Sequence, residues 1–246
     1  MGTPTRNDDL IASYSSKGPT LFDHVVKPDI VAPGNRTVSV LDAKGSLQFT
    51  YPANDVPASY YQRNPSHSGS PYYILSTSMA AAVVSGGVAV LLHTQPNLTP
   101  DQVKARLMKT ASKSFPAYST ATDPITGATY ASQYDIFTVG AGYLDVAAAL
   151  ADSDVATGNA LSPTAAYDSS NGNVYLVFGS GAVWGSGAVW GTNVFISGSG
   201  AVWGSGAAWG TNTDSGFGAV WGSGAVWGSS TQQSVESINV AITGEN

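Results

Sequence analysis

Leu75-Ser76-Thr77-Ser78-Met79-Ala80-Ala81-Ala82-Val83-Val84 decides the reading of this chain, because it sets a small hydroxyl at the mouth of an apolar helix. From Met79 to Leu92 no residue is charged. A helix that is hydrophobic all round is normally buried in a large core, so a central buried helix is expected here. The run is too short to cross a bilayer and Ser85-Gly86-Gly87 interrupts it, so no membrane span is expected. Ser78 stands where free backbone N–H groups and the positive end of the helix dipole gather, a setting that suits stabilisation of an oxyanion. On the local pattern alone, an N-cap is the commoner role for a serine at a helix start.

Four further blocks keep this stretch company. Upstream lie Ala12-Ser13-Tyr14-Ser15-Ser16-Lys17-Gly18-Pro19 and Lys27-Pro28-Asp29-Ile30-Val31-Ala32-Pro33-Gly34. Downstream lie Leu98-Thr99-Pro100-Asp101-Gln102-Val103-Lys104 and Gly140-Ala141-Gly142-Tyr143-Leu144-Asp145. In this order, from about Ala12 to Leu150, they resemble the C-terminal half of the catalytic domain of subtilisin-like serine proteases (subtilases). The resemblance implies an α/β fold: a partial subtilisin-like domain with a parallel sheet and a central buried helix carrying the serine. It aligns Ser78 with the nucleophile and makes the Ser78 N–H one oxyanion-hole donor. The implied activity is that of a serine endopeptidase, cutting peptide or protein substrates through an acyl-enzyme. Secretion is implied by the same resemblance. Members of the family often bind calcium, the one cofactor the resemblance allows for, although no ligand set can be assigned.

Two local departures accompany the match. Ser76 stands where the family usually has glycine, and a need for positive φ there would cost about 1 kcal/mol or more. Ala82 replaces a proline in the first helical turn, a harmless change for the best helix former. A larger departure is the missing partners. The family supplies Asp and His upstream of the serine, yet no Asp-Thr-Gly or His-Gly-Thr segment occurs, nor a counterpart of the oxyanion asparagine. Of the three histidines, His24 lies on a loop, His67 lies in Ser66-His67-Ser68-Gly69, and His93 ends the apolar helix, where it complements the dipole. None is expected to be the base, and a serine without a base is a poor nucleophile. The expectation is therefore a piece of a protease, inactive alone, with Met1 an internal methionine and no signal peptide in this chain.

Composition agrees. All ten Lys and Arg lie in residues 1–113, which carry +3, whereas residues 114–246 hold nine acids and no base. That acidic half argues against nucleic acid as a partner, since phosphate neutralisation supplies most of such affinity. Cysteine is absent, which excludes disulfides, thiol nucleophiles and thiolate metal sites.

Along residues 1–150, Asp29–Gly34 reads as a short buried strand, and Gly45–Pro71 as a loop region whose Tyr51, Tyr60 and Tyr61 either pack under the loop or line a specificity pocket. Thr99, Pro100 and Gln102 predict a helix with a capping box, with Val103, Leu107 and Ala111 on its buried face. Lys104, Arg106, Lys109 and Lys113 are expected on its solvated side, and a last short helix starts at Asp145. Residues 151–178 read as a linker and a first strand.

Residues 179–246 are a different material. The unit Gly-Ser-Gly-Ala-Val-Trp recurs from Gly179 to Gly228 and holds all six tryptophans, at 184, 190, 203, 209, 221 and 227. Three readings stay open: stacked β-repeats that bury the indoles, a disordered tail, or exposed indoles that contact a surface or polymer. The last supplies an alternative function, a non-catalytic binding or structural protein attached through the repeat. Ser237–Ile242 alternates enough for one closing strand.

Overall fold

The structure, a computed structural model, describes residues 5–177 apart from 7, 42–45, 63–71, 76, 117, 123–126, 128, 157–158 and 169–172. The tryptophan repeat, its closing strand, Ser76 and His67 lie outside the described residues. In chain order the elements are β1 (Thr37–Val40), α1 (Leu47–Thr50), β2 (Asp55–Val56), β3 (Tyr72–Leu75), α2 (Ser78–Thr94), α3 (Pro100–Thr110), β4 (Tyr118–Thr122), β5 (Thr129–Gln133), α4 (Ile136–Val139), α5 (Val146–Ala151), β6 (Thr164–Asp168) and β7 (Asn173–Val177).

The core sits where α2, α3 and α5 meet. Leu91 of α2, Val103 and Leu107 of α3, and Leu144 and Ala149 around α5 form one buried cluster. Complete burial of a side chain such as Leu91 contributes about 1.5–3 kcal/mol. Gly87 lets α5 come close, since a Cβ there would lie 3.0 Å from Val146 Cγ2.

Helix α3 begins as its sequence predicts. The Thr99 hydroxyl accepts from the Gln102 N–H at 3.3 Å, and the Gln102 side chain accepts from the Thr99 N–H at 2.9 Å. Two orphan donors of the first turn are thus satisfied by a reciprocal pair. Its basic residues depart from the expected solvated row. Arg106 is buried, at 3% exposure, because its guanidinium donates to the Gln95 side chain and, at 2.6 Å, to the Asp154 carbonyl. Lys109 bridges Asp152 and Asp154, and Lys113 donates to the carbonyls of Met108 and Ala141.

Helix α2 is not the buried central helix its sequence suggests. Only Gly87 and Leu91 are buried, while Ser78, Ala81, Ala82, Ser85, Gly86, Ala89 and Val90 are exposed. A helix apolar on all sides needs packing on all sides. Among the described residues α3 and α5 cover one side of it, and the other stays bare.

The expected parallel sheet is also corrected. All three described ladders, β1–β3–β2, β4–β5 and β6–β7, are antiparallel. Parallel neighbours need a crossover of a dozen or more residues, usually a helix, and the one described α-helix between paired strands, α1, is only four residues long. The Asp29–Gly34 stretch makes one parallel bridge, Val31 to Tyr143. It is half-buried there, held by Ala141 N–H to Asp29 O, Val31 N–H to Gly142 O and Leu144 N–H to Val31 O at 2.8–2.9 Å. Gly140, at φ +57°, allows this approach: a Cβ would fall 2.2 Å from Pro28 O.

The stretch read as a linker is tied to this body. Val26 N–H donates to Pro163 O and Ala165 N–H to His24 O, each at 2.8 Å. Ser162 donates to Asp29 and accepts from Lys104 Nζ at 2.9 Å. Burial opposes ionisation of Asp29, yet the bonds from Lys27 and Ser162 and the charge of Lys104 keep its carboxyl below the ordinary range.

Candidate active site

Ser78 is the first residue of α2, and Thr77 before it already has helical dihedrals, φ −50° and ψ −28°. Ser78 therefore lies inside the first turn, beyond the capping position. The Thr77 side chain makes no cap hydrogen bond either. Among the described residues Thr77 thus leaves the helix start without its own side-chain cap, and the N–H groups of a helix N-terminus can receive an anionic oxygen.

The start of α2 is held in place by a glycine. Gly34 is buried, and a Cβ added to it would lie 3.0 Å from Ala80 Cβ, 3.1 Å from Thr77 Cα and 3.2 Å from Thr77 O. Only a residue without a side chain lets the Ala32-Pro33-Gly34 loop press this closely against the turn that carries Ser78.

Around this junction opens a cleft of about 610 Å³. Ser78, Thr77 and Ala81 form one wall, and residues 28 and 30–35 form a second. Ser15 and Ser16 come from the first of the flanking blocks, and Tyr143 from the last, with Phe115 beside it. Three of the four blocks that flank the serine stretch in sequence are thus brought together at Ser78. The fourth, Leu98–Lys104, serves α3 and lines a separate apolar groove of about 550 Å³.

Asp9 also lines the cleft, a residue that sequence reading passed over in a polar N-terminal segment. Burial, together with the charge of and a hydrogen bond to Asp9, pushes the Tyr143 phenol up to about 12. Arg6 stands over the Tyr143 ring at 5.8 Å and pairs with Asp145 at 2.5 Å. Only the three-dimensional approach of Arg6 and Asp9 to Tyr143 and Asp145 reveals this group.

The histidines behave differently. His93 lies in the last turn of α2, fifteen residues and about 22 Å along the helix axis from Ser78. His24 has φ 53° and its carbonyl accepts from Ala165, on the β6 side of the molecule. Neither is among the described residues lining the cleft. Tyr60 and Tyr61 are not packed beneath a loop: they are 76% and 57% exposed. Among the described residues no group of three or more His, Cys, Asp and Glu could hold a metal ion. No described helix is long and apolar enough to cross a membrane.

A sequence profile of the subtilase family matches residues 3–143, more than half of the chain, and the chain belongs to that family. It is 38% identical over 108 residues to the serine protease AprX of Bacillus subtilis (strain 168), covering 43% of this chain and 21% of that protein. It is 35% identical over 106 residues to the minor extracellular protease Vpr of the same organism, covering 42% of this chain and 10% of Vpr. With the subtilisin-like protease SBT1.6 of Arabidopsis thaliana it shares 30% over 172 residues, 69% of this chain and 19% of the relative. Among solved structures, fervidolysin from Fervidobacterium pennivorans, a keratinolytic enzyme related to subtilisin, matches at TM-score 0.32 and 27% identity, over 51% of this chain and 15% of that one. The chain spans about a fifth or less of the length of these relatives.

Proposed function

We propose that this chain is the nucleophile-bearing part of a subtilisin-like serine endopeptidase and that Ser78 is the nucleophile. The observation that supports the reading is the position of Ser78: first turn of α2, beyond the capping position, on the wall of a cleft built from the sequence blocks that resemble the family. Ser78 Oγ attacks the carbonyl carbon of a peptide bond, its proton leaves to a base, and the N–H groups at the helix start receive the oxyanion. Collapse of that intermediate expels the amine and leaves an acyl-enzyme, which water then hydrolyses.

The base comes from outside the described cleft residues. No histidine lines the cleft among them, and His93 is a helix length away. On this reading the chain alone is inactive toward peptides, and activity belongs to a protein that adds an Asp and a His to this serine. Peptides or proteins are its substrates. The name of Vpr as an extracellular protease supports action outside the cell. Replacing Ser78 by Ala in the full-length protein abolishes peptide hydrolysis under this reading. Hydrolysis that survives the change overturns it.

A further inference from the structure

The strand that follows the cleft wall has an open edge. In the order β1–β3–β2, β1 is an outer strand, paired on one side only among the described residues. Its register with β3 runs from Thr37 opposite Leu75 to Val40 opposite Tyr72. Thr37 is two residues beyond Asn35, which lines the cleft, and Leu75 is three residues before Ser78. The Thr37 end of β1 therefore lies near the cleft at Asn35, and the other end lies about 10 Å farther along the strand.

Nothing in β1 itself guards that edge. Its sequence, Thr-Val-Ser-Val, has no lysine, no proline and no bulge, the devices that usually block pairing with another chain. At the far end the surface is apolar and aromatic. Val40 is 77% exposed, and its partner Tyr72 packs edge-on against Tyr61 with ring centroids 4.8 Å apart. The Tyr72 hydroxyl accepts from Gln62 at 3.3 Å, which holds the ring in that position. A residue paired with Val40 across a new ladder would share the face of Val40 and Tyr72.

We propose that the outer edge of β1 is a docking strand for an extended substrate polypeptide. The polypeptide pairs backbone to backbone along Thr37–Val40 and sets an apolar or aromatic side chain beside Val40. The nearness of the Thr37 end to the cleft at Asn35 argues for a substrate segment over a second copy of the chain. That the polypeptide is a substrate rests on the proposed peptidase reading; the pairing is a binding property that can be measured without hydrolysis.

The test uses the full chain carrying Ser78→Ala and a fluorescein-labelled peptide, Ala-Thr-Val-Thr-Tyr-Thr-Ala, followed by anisotropy. Saturable binding is expected. N-methylation of alternate amides should weaken it about tenfold in one phase, where two ladder bonds are lost, and hardly at all in the other. Tyr61→Ala should weaken the tyrosine peptide several-fold and leave an all-threonine peptide unchanged. Equal effects of the two methylation phases, absence of saturable binding, or an edge occupied by a second copy in a concentration-dependent dimer overturns the proposal. Hydrolysis that survives Ser78→Ala overturns the peptidase reading alone and leaves the methylation result standing.

Discussion

Gly34 and Thr77 touch so closely that a Cβ on the glycine would lie 3.1 Å from the Thr77 Cα. The contact joins the Lys27–Gly34 block to the helix start and so fixes where Ser78 stands. Gly34→Ala should push the first turn of α2 outward by a few tenths of an ångström. Misplacement of a nucleophile by about 1 Å can cost about a hundredfold, so a shift on that scale should cost up to about tenfold in kcat/KM. The measurement is peptide hydrolysis by the full-length protein beside its melting temperature; a large loss of activity with a small thermal shift is expected.

Arg106 is the buried charge of α3, anchored to Gln95 and the Asp154 carbonyl. Arg106→Ala leaves both acceptors without their donor and opens a cavity. A loss of about 3 kcal/mol in urea unfolding is expected.

Thr99→Ala should cost less, about 1 kcal/mol, because it removes one side of a solvent-exposed capping box. Hydrogen exchange should rise in the first turn of α3 and stay unchanged in α5.

Burial pushes the Lys113 amine down to about 7, whereas the unfolded chain keeps it near its ordinary value of 10.5. Between these two pH values the unfolded state binds a proton that the folded state does not. This group therefore makes stability rise with pH from about 7 to 10.5, by at most about 1.4 kcal/mol per pH unit. Below 7 its contribution is flat and unfavourable. Chemical denaturation across that range should show the slope, and Lys113→Met should remove it.

The capping box of α3 was legible in the sequence because its pattern is local: Thr99, Pro100 and Gln102 act within one turn, and the buried row of Val103, Leu107 and Ala111 follows from helical period. The exposure of α2 was not legible. An apolar sequence states that a helix can be buried, and says nothing about which neighbours cover it. Arg106 misled for the related reason that its partners, Gln95 and Asp154, come from other segments. In the site, the motif blocks were legible as sequence, whereas the meeting of Ser78 with Ser15–Ser16 and Pro28–Gly34, and the bond of Asp9 with Tyr143, needed the tertiary structure. Tyr60 and Tyr61 read as packing under a loop or as lining a specificity pocket, and their exposure goes against the packing.

The most direct test of the central claim is covalent labelling of the full-length protein with a fluorophosphonate, followed by mass spectrometry of the peptide that contains Ser78. A single adduct on Ser78, with peptide hydrolysis lost in step and both abolished by Ser78→Ala, is the predicted result. An adduct on another residue, or hydrolysis that persists in Ser78→Ala, would contradict Ser78 as the nucleophile.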